Sequence, residues 1–113
     1  MKILVTGVAG FIGFSIAENF LKKSFVVYGI DNFDSYYSIK LKRLRIINLK
    51  NYKNFNFYNF DLNNRKKLKF FLKNKKFDYV FHMAAQAGVR YSYFNPQKYI
   101  NTNILMFINL LKA

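Results

Sequence analysis

The chain has no cysteine, no tryptophan and a single proline, and only 5 of its 113 residues are acidic, against 19 lysines and arginines. The missing cysteines exclude a disulfide framework and thiolate chemistry. No stretch reaches the roughly 18 consecutive apolar residues of a membrane-spanning helix. The opening Met1-Lys2-Ile3-Leu4-Val5-Thr6 is too short an apolar run for a secretory leader and reads as a strand that starts at once. No metal-ligating set is assigned. These absences predict a cytoplasmic protein without a membrane role. With 52% hydrophobic residues the chain is not disordered. Its length fits one domain, 1–113, although a doubly wound sheet with two lobes usually needs more.

The formal charge of +14 comes mostly from lysine, in a background rich in Asn, Ile, Phe and Tyr. Those are residue types that AT-rich codons specify. Compositional drift and a selected polyanion surface both give such a balance, and drift is the simpler account. The aromatic residues fall on strands and helix faces, and no nucleic-acid motif is visible, so no nucleic-acid partner is assigned.

Apolar runs and helical periodicities alternate along the chain. Strands are predicted at Lys2 to Thr6, Phe25 to Ile30, Phe55 to Phe60 and Asp78 to Met83. Helices are predicted at Phe11 to Lys23 (Ile12, Ile16 and Phe20, with Ala17 and Leu21, inward) and Ser38 to Leu49 (Leu41, Leu44 and Leu49 on one side). A third is expected at Asn64 to Lys75, with Phe70, Phe71 and Leu72 as its buried side. Ala84 to Asn95 reads as a long loop. Pro96 then opens a last helix with Ile100, Ile104, Phe107, Ile108 and Leu111 on one face. Four strands alternating with helices imply an α/β fold, the N-terminal part of a Rossmann-type doubly wound parallel sheet.

Between the first strand and first helix stands Gly7-Val8-Ala9-Gly10-Phe11-Ile12-Gly13. Each glycine has a physical reason: Gly7 for the tight turn, Gly10 for close approach of a pyrophosphate to backbone, Gly13 for packing of helix on strand. A pyrophosphate would then meet the helix N-terminus, with Phe11 and Ile12 donating backbone N–H groups. Asp31 lies 18 residues after Gly13, at the end of the second strand. A carboxylate there accepts from ribose hydroxyls and repels a 2′-phosphate; its plainer role is a turn or cap residue. No Arg or Lys stands in the glycine loop or directly after Asp31, so NAD is favoured over NADP.

This glycine spacing, with Asp31, resembles the extended short-chain dehydrogenase/reductase superfamily. Asp31-Asn32-Phe33-Asp34-Ser35-Tyr36-Tyr37 with Leu41-Lys42-x-x-Arg45, and above all His82-Met83-Ala84-Ala85-Gln86-Ala87-Gly88-Val89-Arg90-Tyr91-Ser92 before Asn95-Pro96, are similar to segments of UDP-glucuronate 4-epimerases. The resemblance covers the whole chain but only the cofactor-binding part of that family. It implies that Gly7, Gly10, Phe11, Ile12 and Gly13 cradle the pyrophosphate. It implies that Asp31 and Asn32 meet the adenosine ribose, and that Asp61 and Leu62 flank the adenine. Ala84, Ala85, Gln86 and Ala87 would line the path to the nicotinamide, with Thr102 contacting the cofactor from the last helix. Val89, Arg90 and Ser92 would lie near the UDP-sugar. Arg90 is equally a solvated or capping residue. His82 is expected to pack beneath the fold, and Met106 stands where the family usually carries a small residue.

The resemblance places the family's Tyr-x-x-x-Lys pair and catalytic Ser or Thr beyond this chain, so no catalytic residue is assigned; Tyr36, Tyr37, Tyr91 and Tyr93 are not given the role. The implied activity is C4 epimerisation of UDP-glucuronate through NAD, absent from these 113 residues alone. A homodimer or a complementing C-terminal chain is a possible partner. Another sugar-nucleotide epimerase or dehydratase, and a stand-alone NAD-binding module or relic, remain as alternatives. The fourth strand and last helix are expected to be left partly uncovered and prone to association.

Overall fold

A computed structural model describes residues 1–113. Four strands, β1 (Lys2–Thr6), β2 (Val26–Asp31), β3 (Phe55–Asn59) and β4 (Tyr79–His82), form one sheet of order β3-β2-β1-β4. All three pairings are parallel, with Ile3 opposite both Val27 and Tyr79. Helices α1 (Phe11–Lys22), α2 (Ile39–Lys50) and α3 (Arg65–Leu72) connect them. The expected doubly wound arrangement is therefore present.

The pleat explains the layers. Successive strand residues face opposite sides. On β1, Ile3 and Val5 join Ala17 and Leu21 of α1 and Ile46 and Leu49 of α2 in one core. Leu4 faces the other way, into a second core with Ile30, Leu62, Leu68, Phe71 and Met106. Burial on both faces accounts for the continuous apolar run of β1.

Several helix faces differ from the sequence expectation. In α1 Ile12 is 61% exposed, and the inward residues are Gly13, Ala17 and Leu21. In α2 the inward residues are Lys42, Ile46 and Leu49, a spacing of four and three. Leu41 and Leu44 are exposed instead. The buried Lys42 keeps its Nζ satisfied by the Asp34 carbonyl at 2.6 Å. In α3 Leu68 and Phe71 point inward and Phe70 is 81% exposed. Asn64 caps this helix by accepting from Lys67 N, and Ser38 caps α2 by accepting from Leu41 N.

The loop expected over 84–95 contains a helix, α4 (Val89–Phe94), with no buried residue. Its sequence has no inward apolar stripe, which is the signal a periodicity reading needs. Pro96 does open a helix, with Asn95 as its N-cap accepting from Lys98 N. The rod then runs through α5 (Pro96–Tyr99), a π-helical stretch (Ile100–Leu105) and α6 (Met106–Lys112). The wider π turn breaks the 3.6-residue register. As a result Met106 is buried, while Ile100, Ile104, Phe107, Ile108 and Leu111, the expected inner face, are all exposed. No helix is long and apolar enough to cross a membrane.

Candidate functional site

In an open α/β sheet ligands bind beyond the carboxyl ends of the strands, where the strand order reverses. Here that point lies between β1 and β4, flanked by the Gly7–Gly13 turn and the segment after His82. The two loops touch. Gly7 has φ +68°, and a Cβ on it would stand 2.7 Å from Ala84 N. A Cβ on Gly13 would stand 2.1 Å from the Gly7 carbonyl oxygen, so these two glycines are required by the fold itself.

Gly10 is different. A Cβ there would meet only the Gly7 oxygen, at 3.2 Å, and its backbone is extended, with φ −75°. The fold asks less of this position than of Gly7 and Gly13: a Cβ would need the Gly7 carbonyl to give by only a few tenths of an ångström. As N-cap of α1, Gly10 offers no side chain, and no acidic residue stands in the first turn. The N–H groups of Phe11, Ile12 and Gly13 have no partner within the helix. An uncapped helix start beneath a glycine without a Cβ suits an anionic group.

Asp31 is 8% exposed. Its Oδ2 accepts from Ala9 N at 3.0 Å and its Oδ1 from Phe33 N at 2.8 Å. This ties the end of β2 to the glycine turn and fixes the carboxylate. Each oxygen keeps a second acceptor site for a hydroxyl. The backbone role thus leaves the carboxylate able to accept further hydrogen bonds.

Asn32, Asp61 and Thr102 come together in a polar cleft of about 310 Å³, which Asp34, Asn63 and Lys98 also line. Leu62 is 2% exposed within the second core, so its side chain supports this cleft from below. On the other side, Ala84 N donates to Thr6 Oγ1 at 3.2 Å, and that hydroxyl lies 2.7 Å from His82 Nδ1. The hydroxyl accepts from Ala84 N and pairs with the ring at Nδ1, joining the segment after β4 to the end of β1. Burial pushes the His82 pKa down, favouring the neutral form. The ring also stacks on Phe107 at 5.5 Å between centroids. His82 is thus a half-buried packing residue that orients the segment after β4.

Ala85 and Ala87 are exposed and Gln86 is buried. Two residues with no assigned role hold this segment. Asn103 Oδ1 accepts from Gln86 N at 2.7 Å, and its Nδ2 donates to Gln86 O at 3.2 Å. Tyr99 donates to Ala87 O at 2.9 Å. Only their recurrence four apart on the last helix hinted at a shared face.

The suggested substrate residues are less gathered. Val89 and Arg90 are exposed on α4, and Ser92 bonds back to Val89 O. None of them lines the polar cleft. The Tyr-x-x-x-Lys spacing does occur, once, at Tyr36 and Lys40. Tyr36 lies in the turn before α2, whereas Lys40 is in the helix. Tyr36 instead packs on Tyr91, at 4.9 Å between centroids, and over Gly88. The pair is not presented from one helix face. No group of three or more His, Asp or Glu residues is placed to hold a metal ion.

A parallel sheet of this order, with a Gly-x-x-Gly-x-x-Gly turn at its reversal point and an acidic residue ending β2, defines a Rossmann-type nucleotide-binding fold. More particularly, residues 4–113 match the model of the GDP-mannose 4,6 dehydratase family, and the chain belongs to it. It is 41% identical over 112 residues to UDP-glucuronate 4-epimerase 4 of Arabidopsis thaliana, covering 99% of this chain and 25% of that protein. It is 44% identical over 109 residues to UDP-glucuronate 4-epimerase of Thermodesulfobacterium geofontis, covering 96% of this chain and 34% of the other. The crystal structure of UDP-glucuronic acid 4-epimerase from Bacillus cereus, in complex with UDP-glucuronic acid and NAD, superposes with a TM-score of 0.89. It is 38% identical, with 99% of this chain and 35% of that one covered. The chain thus spans about a quarter to a third of the length of these relatives.

Proposed function

We propose that these residues form the NAD-binding part of a cytoplasmic sugar-nucleotide epimerase that acts at C4 of UDP-glucuronate. The observation that carries this is Gly10: its missing Cβ matters less to the fold than those of Gly7 and Gly13, and it leaves the uncapped start of α1 open to a pyrophosphate. The N–H groups of Phe11 and Ile12 would hold that group. Asp31 and Asn32 would take the adenosine ribose, Asp61 the adenine amino group above Leu62, and Thr102 the opposite wall. Ala84 to Ala87, braced by Asn103 and Tyr99, would guide the nicotinamide end. When bound, NAD supplies a reversible hydride acceptor, which C4 inversion through a keto sugar requires.

Val89, Arg90 and Ser92 would face the UDP-sugar, Arg90 offering a guanidinium fork to an anionic group. UDP-glucuronate is favoured by the likeness of the 82–92 segment to epimerases of that substrate. A base that takes the C4 hydroxyl proton is not assigned among these residues. The 113-residue chain alone is therefore expected to turn over no sugar nucleotide. It would act with a complementing segment, or within a homodimer through the exposed face of the last helix.

Calorimetric titration tests the cofactor half. The chain should bind NAD, and Gly10→Ala should weaken binding at least about tenfold, one misplaced charge-assisted contact, while shifting the unfolding midpoint little. Equal NAD affinity in both proteins would overturn the assignment of the turn. Conversion of UDP-glucuronate by the purified chain would overturn the expected inactivity.

A further inference from the structure

We propose that Asp34 is a second determinant of dinucleotide choice beside Asp31, acting by keeping Lys98 neutralised at the rim of the adenosine cleft. The inference rests on the cofactor reading above. The sequence places no cation in the glycine turn or directly after Asp31, yet the fold brings three to this corner. Arg45 Nη1 donates to Ala9 O at 3.0 Å and Lys42 Nζ to Asp34 O at 2.6 Å. Lys98 Nζ stands 2.8 Å from Asp34 Oδ2 and 3.0 Å from Oδ1. Cations of the kind a 2′-phosphate would need are present but occupied.

The three differ in what occupies them. Arg45 and Lys42 are held by backbone carbonyls, and Lys42 is buried. Lys98 alone is paired with a carboxylate, and its side chain stays partly exposed. It lines the same cleft as Asn32, the residue after Asp31. Its flexible stem lets it turn to a new anion once released. The pair joins segments 64 residues apart, whereas the one other ion pair, Glu18 with Lys22, lies within α1. Burial would raise the Asp34 carboxyl. The hydrogen bonds from Lys98 and Tyr36 N, with the Lys98 and Lys42 charges, outweigh it and hold the group below its ordinary range. The carboxylate therefore stays ionised near neutral pH and keeps Lys98 engaged. A 2′-phosphorylated dinucleotide meets the Asp31 carboxylate and a neutralised Asp34–Lys98 pair, with no available ammonium; NAD meets no such cost.

Asp34→Asn removes the charge but keeps an oxygen to accept from Tyr36 N, so the turn after β2 survives. NAD and NADP are titrated calorimetrically into the chain, Asp34→Asn, Lys98→Gln and the double variant. The NADP-to-NAD affinity ratio should rise about tenfold in Asp34→Asn, the size of one charge-assisted contact. It should not rise in Lys98→Gln, which leaves an unpaired carboxylate, and should stay at the starting level in the double variant, where both charges are gone. An unchanged ratio in Asp34→Asn, or an equal rise in the double variant, overturns the role of the pair while NAD binding stands. If none of the four proteins binds either dinucleotide, the cofactor reading falls and this inference with it.

Discussion

Residues 1–31 and residues 88–113 are both regular structure, but they are held in opposite ways. In the first region β1 is buried on both faces, and Ile3, Leu4, Val5, Val8 and Ala9 are wholly inaccessible. In the second, Met106 is the one buried residue. Its ties to the rest are mainly polar: Asn103 to Gln86, Tyr99 to Ala87, Lys98 to Asp34, and Asn109 Nδ2 to Asn63 Oδ1 at 3.1 Å. Apolar burial grows with area and holds an element whatever its detailed register. Hydrogen bonds fix register but contribute little net stability. The first region is thus a packed platform, and the second a helical rod hooked onto it at chosen points. Both hooks and platform meet at the candidate cofactor cleft.

Paired truncations should break this comparison most visibly. Leu4, wholly buried on β1, and Leu111, 70% exposed on α6, are the same residue type in opposite settings. Leu4→Ala should cost about 3 kcal/mol from lost burial and the cavity left behind. Leu111→Ala should change stability by less than about 0.5 kcal/mol. Urea unfolding followed by circular dichroism measures both, and comparable losses would refute the contrast.

A smaller effect is expected at the hooks. Asn103→Ala removes partners from both the N–H and the carbonyl of Gln86 and should cost about 1–2 kcal/mol. Hydrogen exchange should then speed up at the Gln86 amide while β1 amides keep their protection. Uniformly faster exchange would mean that Asn103 supports the whole fold rather than the segment after β4.

The smallest effect concerns protons at the junction of the two regions, where His82 touches Thr6 and Phe107. Its folded pKa lies below the ordinary 6.5 because burial disfavours the imidazolium. Between that lowered value and about 6.5 the unfolded chain binds more protons than the folded one, so stability falls as pH falls through this window. Above it, His82 adds no pH dependence. The urea midpoint should therefore drop more between pH 7.5 and pH 5.5 in the parent chain than in His82→Gln. The same drop in both would dissociate His82 from the effect.

Fold class, strand order of appearance and the glycine turn were legible because they depend on neighbours in the chain. The apolar run of β1, the Gly7–Gly13 spacing and Asn95-Pro96 as a helix start are all local signals. Faces were legible only where apolar residues had no rival. Lys42 took an inward position that Leu41 and Leu44 were expected to hold, because its Nζ found the Asp34 carbonyl. Phe70 lost to Phe71 for the same face of α3. The α4 helix escaped notice because it buries nothing.

The sequence by itself determined the platform. A tight turn, a glycine at each close approach and an acidic residue ending β2 are consequences of residues near one another along the chain. Only the tertiary structure decided what reaches the cleft from afar. Asn103, Tyr99 and Lys98 belong to a rod whose π turn rotates its faces, and Gln86, Ala87 and Asp34 wait for them on loops 12 to 64 residues away in sequence. Such partnerships depend on the angle at which the rod meets the sheet, and no local propensity encodes that angle.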